Sequence, residues 1–331
     1  MTVVELFAAF ALIVGGAVGF TNAVEWLGQR LNLGEGAVGA LLAAVGTALP
    51  ESVIPIVALL SGGGAEDVQI AIGAIVGAPF LLGTLAMLLV AGSAHAFAGR
   101  RSQGSGIEGE PGAIKRDLTW FVCLLPIAIV LGWFGPPLGV RIAAAVALLA
   151  GYGLYVRQTV AGGGDAGDED ELKALYFDRT KDDPPGRLAI GLQLAVSLAA
   201  IIGGAELFVG AIETIAKSAG ITPLVLALIL APLATELPEK INSVLWVRRG
   251  KDALALGNIT GAMTFQATVP VSLGLLFTNW DLDTHALVAA LAGLAGGLLA
   301  RLVLPRRHVG LAAAVVWGGL FAGFVAYAGL G

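Results

Sequence analysis

The chain has 331 residues, of which 57% are hydrophobic and 13% charged, and its formal net charge is −5. A soluble domain carries about a quarter charged residues, so a water-soluble globular fold is excluded. The single cysteine, Cys123, excludes an intramolecular disulfide.

Apolar runs long enough to cross about 30 Å of hydrocarbon recur from end to end. They predict ten spans, at roughly 3–28, 36–61, 67–92, 118–136, 139–160, 187–216, 222–247, 252–278, 284–303 and 308–330. The first lacks a basic leader region and reads as a span rather than a cleaved signal. No period-two alternation supports a β-barrel. The fold class is therefore an all-α polytopic membrane protein. The abundant Gly and Ala suit close helix packing in lipid.

The basic residues sort by loop. Arg30 follows span one. Arg100, Arg101, Lys115 and Arg116 follow span three, and Arg157, Lys173, Arg179, Lys181 and Arg187 follow span five. Arg248, Arg249 and Lys251 follow span seven, and Arg301, Arg306 and Arg307 follow span nine. Only Arg141 and Lys217 lie on the opposite side, with Lys240 inside a span. By the positive-inside rule the odd-numbered loops are cytoplasmic and both termini face outward. The run AGGGDAGDEDELKALYFDRTKDDPPGR after span five reads as a flexible acidic linker. It lacks the spacing of an EF-hand, which argues against a calcium-sensing loop.

An internal repeat organises the rest. AVEWLGQRLNLGEGAVGALLAAVGTALPES from Ala23 matches AIETIAKSAGITPLVLALILAPLATELPEK from Ala211 at an offset of 188 residues. Thr47 pairs with Thr235, Pro50 with Pro238, and Glu51 with Glu239. GAIVGA from Gly73 answers GNITGA from Gly257 at an offset of 184. The expected domains are a first half at 1–161 with GTALPE, a linker at 162–186, and a second half at 187–331 with ATELPE. Five spans per half gives the halves opposite orientation, the pattern of secondary transporters with a midplane site. Pro50 and Pro238 are expected to break or kink their helices there.

Glu51, Glu236, Glu239 and Lys240 would each cost about 2.5–3.5 kcal/mol at a bilayer centre, so they must be paired, protonated or neutralised by a bound cation. Glu236 and Lys240 have the i,i+4 spacing of an ion pair. Either they support the helix, or Lys240 takes a cation's electrostatic place and titrates during transport. Glu25, Glu206 and Glu213 read as packing or vestibule residues. His95, His285 and His308 show no metal-ligand spacing. The six tryptophans fall mostly near span ends, as an aromatic belt does. No nucleotide-binding loop occurs.

These residues resemble the sodium/calcium exchanger superfamily of cation antiporters, as a diverged prokaryotic-type member. GTALPE and ATELPE match the family's G-T-S-x-P-E, and GAIVGAP and GNITGAM match its G-N-x-x-G-S-N. The resemblance implies ten helices in two inverted repeats with broken helices at the midplane. It also implies alternating-access antiport of Ca2+ or another cation against Na+ or H+. It implies a cation site of Glu51 and Glu239, the metal-binding pair, with Thr47, Thr235, Asn258 and Ser243. Glu236 joins that set and Lys240 is the coupling candidate. The chain departs from the pattern at Ala48, Pro55, Ala74, Ala78–Pro79, Glu236 and Ala262–Met263. The departures remove oxygens and add a carboxylate and an ammonium, which raises proton-coupled Ca2+ or monovalent-cation exchange as the alternative. No cofactor, nucleotide or nucleic acid is expected; the partners are the bilayer of a prokaryotic cell membrane and small inorganic cations. An enzyme is disfavoured because no nucleophile–base or metal set accompanies the carboxylates. A transport-inactive structural or sensory relative is the remaining alternative.

Overall fold

The computed structural model describes residues 2–30, 43–60, 64–161, 174–178, 185–306 and 309–330. At positions 2, 25, 28, 29, 43–50, 160, 238, 239, 306 and 330 it describes the backbone alone. Twelve α-helices are described: α1 (Thr2–Arg30), α2 (Ala43–Leu60), α3 (Ala65–Leu81), α4 (Met87–Ala96), α5 (Pro111–Phe134) and α6 (Leu138–Ala161). The second half has α7 (Arg187–Ala219), α8 (Pro223–Arg248), α9 (Asp252–Gln266), α10 (Val269–Phe277), α11 (Thr284–Val303) and α12 (Leu311–Leu330). Among the described residues, eight helical stretches are long and apolar enough to cross a membrane, and two shorter apolar stretches, Glu51–Leu60 and Pro223–Leu237, lie in α2 and α8. With α3–α4 and α9–α10 each forming one span, the described helices fall on all ten predicted spans. Large apolar side chains such as Leu60, Phe7 and Phe134 sit on the outer surface, where hydrocarbon rather than water is their solvent.

The pseudo-symmetry shows in the packing of α1 on α7. A Cβ placed on Gly16 would stand 2.8 Å from Ile201 Cγ1 and 2.8 Å from the Ser197 carbonyl oxygen. One placed on Gly204 would stand 2.9 Å from Ile13 Cγ1 and 3.1 Å from the Ala9 carbonyl oxygen. Gly204, Ile201 and Ser197 are Gly16, Ile13 and Ala9 displaced by the same 188 residues, so the contact is reciprocal, as a two-fold axis requires. Both positions need glycine because the backbones touch. A second close backbone contact puts α3 on α8, with Gly73 against the Leu224 carbonyl and Gly77 against Leu228.

The helix interruptions fall one span later than expected. Helix α2 runs unbroken through position 50, and α8 through positions 232 and 238. The irregular turns are in the third span of each half. There α3 passes through a π-helical turn, Leu82–Ala86, into α4. In the second half α9 stops at Gln266 and α10 starts at Val269. The 184-residue offset carries Leu82 onto Gln266 and Thr84 onto Thr268. Each threonine hydroxyl donates to the carbonyl four residues back, Thr84 to Phe80 at 2.6 Å and Thr268 to Thr264 at 2.9 Å. Pro270, at the start of α10, has no N–H for the Gln266 carbonyl, and its ring would clash there in a continuous helix. In α2 and α8 each proline removes one bond of the helical ladder and leaves the rest intact, with neighbouring helices in support.

Two further expectations are revised. Trp280 and Trp317 are core residues rather than belt residues; their indole nitrogens donate to the Ala128 and Gly296 carbonyls at 2.9 and 3.0 Å. The described linker segment 174–178 is docked. Leu175 is buried in a small cluster with Ala23 and Ile190, and the Phe177 amide donates to Gln193 Oε1 at 3.1 Å. The same Gln193 donates to the Gly19 carbonyl and to Asn22, tying this turn to α1.

The reciprocal glycine contact gives a stability test. Gly16→Ala and Gly204→Ala are expected to destabilise the protein by similar amounts, about 1–3 kcal/mol each from overpacking. Gly15→Ala and Gly203→Ala, where nothing lies within 4 Å of the added Cβ, are expected to be neutral. Melting temperatures of the four detergent-solubilised variants decide this.

Candidate cation site

Helices α2, α8 and α9 pack against one another. Between them they carry Glu51, Glu236, Lys240, Asn258 and Gln266. On α8, Thr235, Glu236, Lys240 and Ser243 are all buried. Their spacings of three and four residues put Glu236, Lys240 and Ser243 on one face. On α9, Asn258 and Gln266 are two turns apart, so they too share a face. Glu51 stands on α2, only 7% exposed.

The structure pairs these groups in three ways. Gln266 Nε2 donates to Glu51 Oε2, joining two residues 215 apart and in opposite halves. Lys240 Nζ donates to Glu236 Oε2 along the helix. Asn258 Nδ2 approaches Ser243 Oγ at 3.5 Å, linking α9 to α8. The Thr235 hydroxyl donates to the Ala231 carbonyl at 3.2 Å, which leaves its oxygen lone pairs available. The expected closeness of Glu51 to Glu239, and the part played by Thr47, rest on the side chains of Glu239 and Thr47, which lie outside the described residues.

Two buried oxygens of this set lack a donor among the described residues: Glu236 Oε1 and Gln266 Oε1. In hydrocarbon a carboxylate or amide oxygen without a partner is costly. Both are acceptors only, so a proton donor or a cation satisfies them.

Sequence reading missed Gln266 and the brace behind it. Gln266 lies eight residues after Asn258, and that helical spacing was a usable signal. Its half-one counterpart is Leu82, so the repeat hid it: the symmetry is broken toward polarity in the second half alone. Behind α9, Thr260 Oγ1 donates to Asp117 Oδ2 at 2.8 Å, and Thr264 Oγ1 to the Asp117 carbonyl at 2.9 Å. Arg116 pairs with the other Asp117 oxygen at 3.0 Å. Asp117 in KRDLTW read as a span boundary, because sequence gives no depth for a charge near a helix start. At the beginning of α9, Arg101 Nη2 lies 2.5 Å from Asp252 Oδ2, with both side chains fully buried. The same oxygen accepts from the Glu108 amide at 2.8 Å. Together these contacts fix the register of α9, and hence where Asn258 and Gln266 stand.

An inverted-repeat bundle with acidic and amide groups buried where the two halves meet is the architecture of a secondary transporter. A sequence model of the family described as "Sodium/calcium exchanger protein" matches residues 1–159 and 190–330, and the chain belongs to that family. A "Putative antiporter CaxA" from Alkalimonas amylolytica is 24% identical over 296 residues, covering 86% of this chain and 84% of that one. The solved structure of the H+/Ca2+ exchanger CAX superposes with a TM-score of 0.75 at 21% identity, covering 98% of this chain and 81% of that chain. The sodium-calcium exchanger NCX_Mj does so at 0.60 and 22% identity, over 100% and 99% of the two chains. At these identities the structural likeness is one of fold. The protein is thus an integral membrane antiporter of the exchanger family, a transporter of small cations and not an enzyme.

The Glu51–Gln266 contact is expected to matter without any cargo. Gln266→Leu takes that donor from a buried carboxylate, and is expected to destabilise the protein by about 1–3 kcal/mol. The check is the melting temperature in cation-free buffer; a change no larger than that of Leu82→Val in the other half would show that the contact is dispensable.

Proposed function

We propose that the protein is a proton-coupled antiporter of Ca2+, or of a cation of similar size, working by alternating access. The observation that carries this is the buried Lys240–Glu236 pair, with Glu236 Oε1 lacking a donor among the described residues. The ammonium occupies one carboxylate oxygen and the other is unsatisfied, so the pair is half-prepared for a cation. A divalent cation approaching Glu236 meets the Lys240 charge a few ångströms away, a repulsion of several kcal/mol at an effective dielectric near 20. Lys240 relieves it by moving away or by releasing its proton. Release couples cation entry to proton exit with no separate proton site.

The cargo ligands proposed are the carboxylates of Glu51, Glu236 and Glu239, the hydroxyls of Thr47, Thr235 and Ser243, and the amide oxygens of Asn258 and Gln266. That set suffices for the six to eight oxygens Ca2+ takes, and leaves little for several Na+ ions besides. The halves 1–161 and 187–331 would rock about the α1–α7 contact, joined by the 162–186 linker. The basic loops and the linker would face the cytoplasm and both termini the opposite side.

Reconstitution tests the coupling. Proteoliposomes are expected to accumulate Ca2+ under an imposed H+ gradient and not under an Na+ gradient alone; the reverse result would overturn proton coupling. Glu51→Gln is expected to abolish flux while leaving the protein folded, because it keeps shape and hydrogen bonding but removes the charge that offsets a dehydrated cation. Near-normal flux in that variant would make Glu51 structural.

The sign of the pH dependence follows from proton release. Wild-type cation affinity is expected to rise with pH, because fewer protons then compete in the exchange. Lys240→Met is expected to flatten that dependence and to raise affinity at low pH. Superimposed binding curves against pH for the two proteins would leave Lys240 only an ion-pair partner.

A further inference from the structure

A cavity of about 410 Å3 opens on the face that carries the 135–137 and 278–283 loops. Val68 and Ile72 of α3 and Leu276 of α10 make its apolar wall, and Arg141, Asn279 and Asp281 supply its polar groups. Arg141 is one of three Lys and Arg residues outside the basic loops. Its guanidinium makes no hydrogen bond or ion pair with any described residue, and its Nε is buried without a partner. A planar, permanently charged fork held at a membrane boundary with its donors unmet fits a phosphate. Asp281, in the same cavity, would repel a simple anion, yet it offers an acceptor to an ammonium. The rim continues into the lipid-facing surface at Phe277, which is 66% exposed.

The cavity is preformed by a strained loop. Trp280 has φ +49°, the only positive φ at a non-glycine among the described residues. A bulky residue holds that conformation only when its surroundings over-determine it. Here the indole is buried and donates to the Ala128 carbonyl, the Trp280 amide donates to Thr278 Oγ1 at 2.9 Å, and the Leu282 amide donates to the Gly132 carbonyl at 2.9 Å. Asp283 then caps α11 through the Ala286 amide at 2.8 Å. The anchors fix Asn279 and Asp281 in the lining of the cavity that Arg141 also lines.

We propose that this cavity binds the headgroup of a phosphoethanolamine lipid, with its phosphate on Arg141, its ammonium at Asp281 and its acyl chains running down past Phe277. Such a lipid would bridge α3 and α6 of one half to α10 of the other. The assignment is independent of which cations the protein moves.

The test uses the full chain, purified and delipidated in detergent. Phosphatidylethanolamine, phosphatidylcholine, phosphatidylglycerol and inorganic phosphate are added separately, with bound lipid read by native mass spectrometry and stability by melting temperature. Phosphatidylethanolamine is expected to bind at one per chain and to raise the melting temperature most. Arg141→Gln is expected to weaken it by about tenfold or more, the loss of one charge-assisted hydrogen bond. Asp281→Asn is expected to remove its advantage over phosphatidylcholine while phosphatidylcholine still binds. Wild-type affinity in Arg141→Gln, or equal binding of the two lipids by the wild type, would overturn the proposal. Inorganic phosphate reproducing the whole shift would overturn it too, making the cavity a free-anion site. Should Arg141→Gln fail to fold, the exposed-loop variant Asp281→Asn decides alone, and an unchanged lipid preference overturns the assignment.

Discussion

A carboxylate in hydrocarbon persists only beside a donor or an opposite charge, and Glu51 obtains one donor from the other end of the chain. Gln266 reaches it across 215 residues, which is possible only because the second half is folded upside down against the first. Removing charge from water costs several kcal/mol per ion even after relaxation. The contact between halves therefore supports the buried acid as well as following from the fold. The α1–α7 glycine contact brings the halves together, and the braces at Asp117 and Asp252 hold α9 at the depth where its amide meets the acid.

The repeat supplies two copies of each device, and the copies have diverged. Both third spans lose regular α-helix at the same repeat position, with a threonine turned back onto the preceding carbonyl in each. Only the second half places a polar side chain, Gln266, beside the irregular turn; the first places Leu82. Only the second half has the Glu236–Lys240 pair, where the first has Ala48 and Ser52. A backbone disposition set by two-fold symmetry thus surrounds a site whose chemistry is one-sided.

The Arg141 cavity shows a different use of unpaired charge. At the candidate cation site the groups without a partner among the described residues are acceptors, Glu236 Oε1 and Gln266 Oε1, deep in the bundle. At the cavity the unsatisfied group is a donor near the membrane boundary, open to lipid. Sign and depth together distinguish the proposed cation site from the proposed phosphate site.

The class, the span positions, the repeat and the family were legible in the chain alone, because each depends on composition, length or register. Twenty apolar residues cross a bilayer whatever their neighbours do, and an odd number of spans per repeat inverts the halves. Also legible were the residues that carry charge into the bilayer, and the i,i+4 partnership of Glu236 and Lys240, which is local to one helix. What meets across helices emerged only from the packing. The Glu51–Gln266 contact, the Asp117 brace, the burial of Trp280 and Trp317 and the docking of Leu175 all join residues far apart in sequence, and no local period encodes them. The position of the helix breaks emerged there too. A proline lowers helix stability wherever it stands, but whether the helix yields depends on what packs around it. Here the surroundings hold α2 and α8 continuous and let the turns at 82–86 and 267–268 give way.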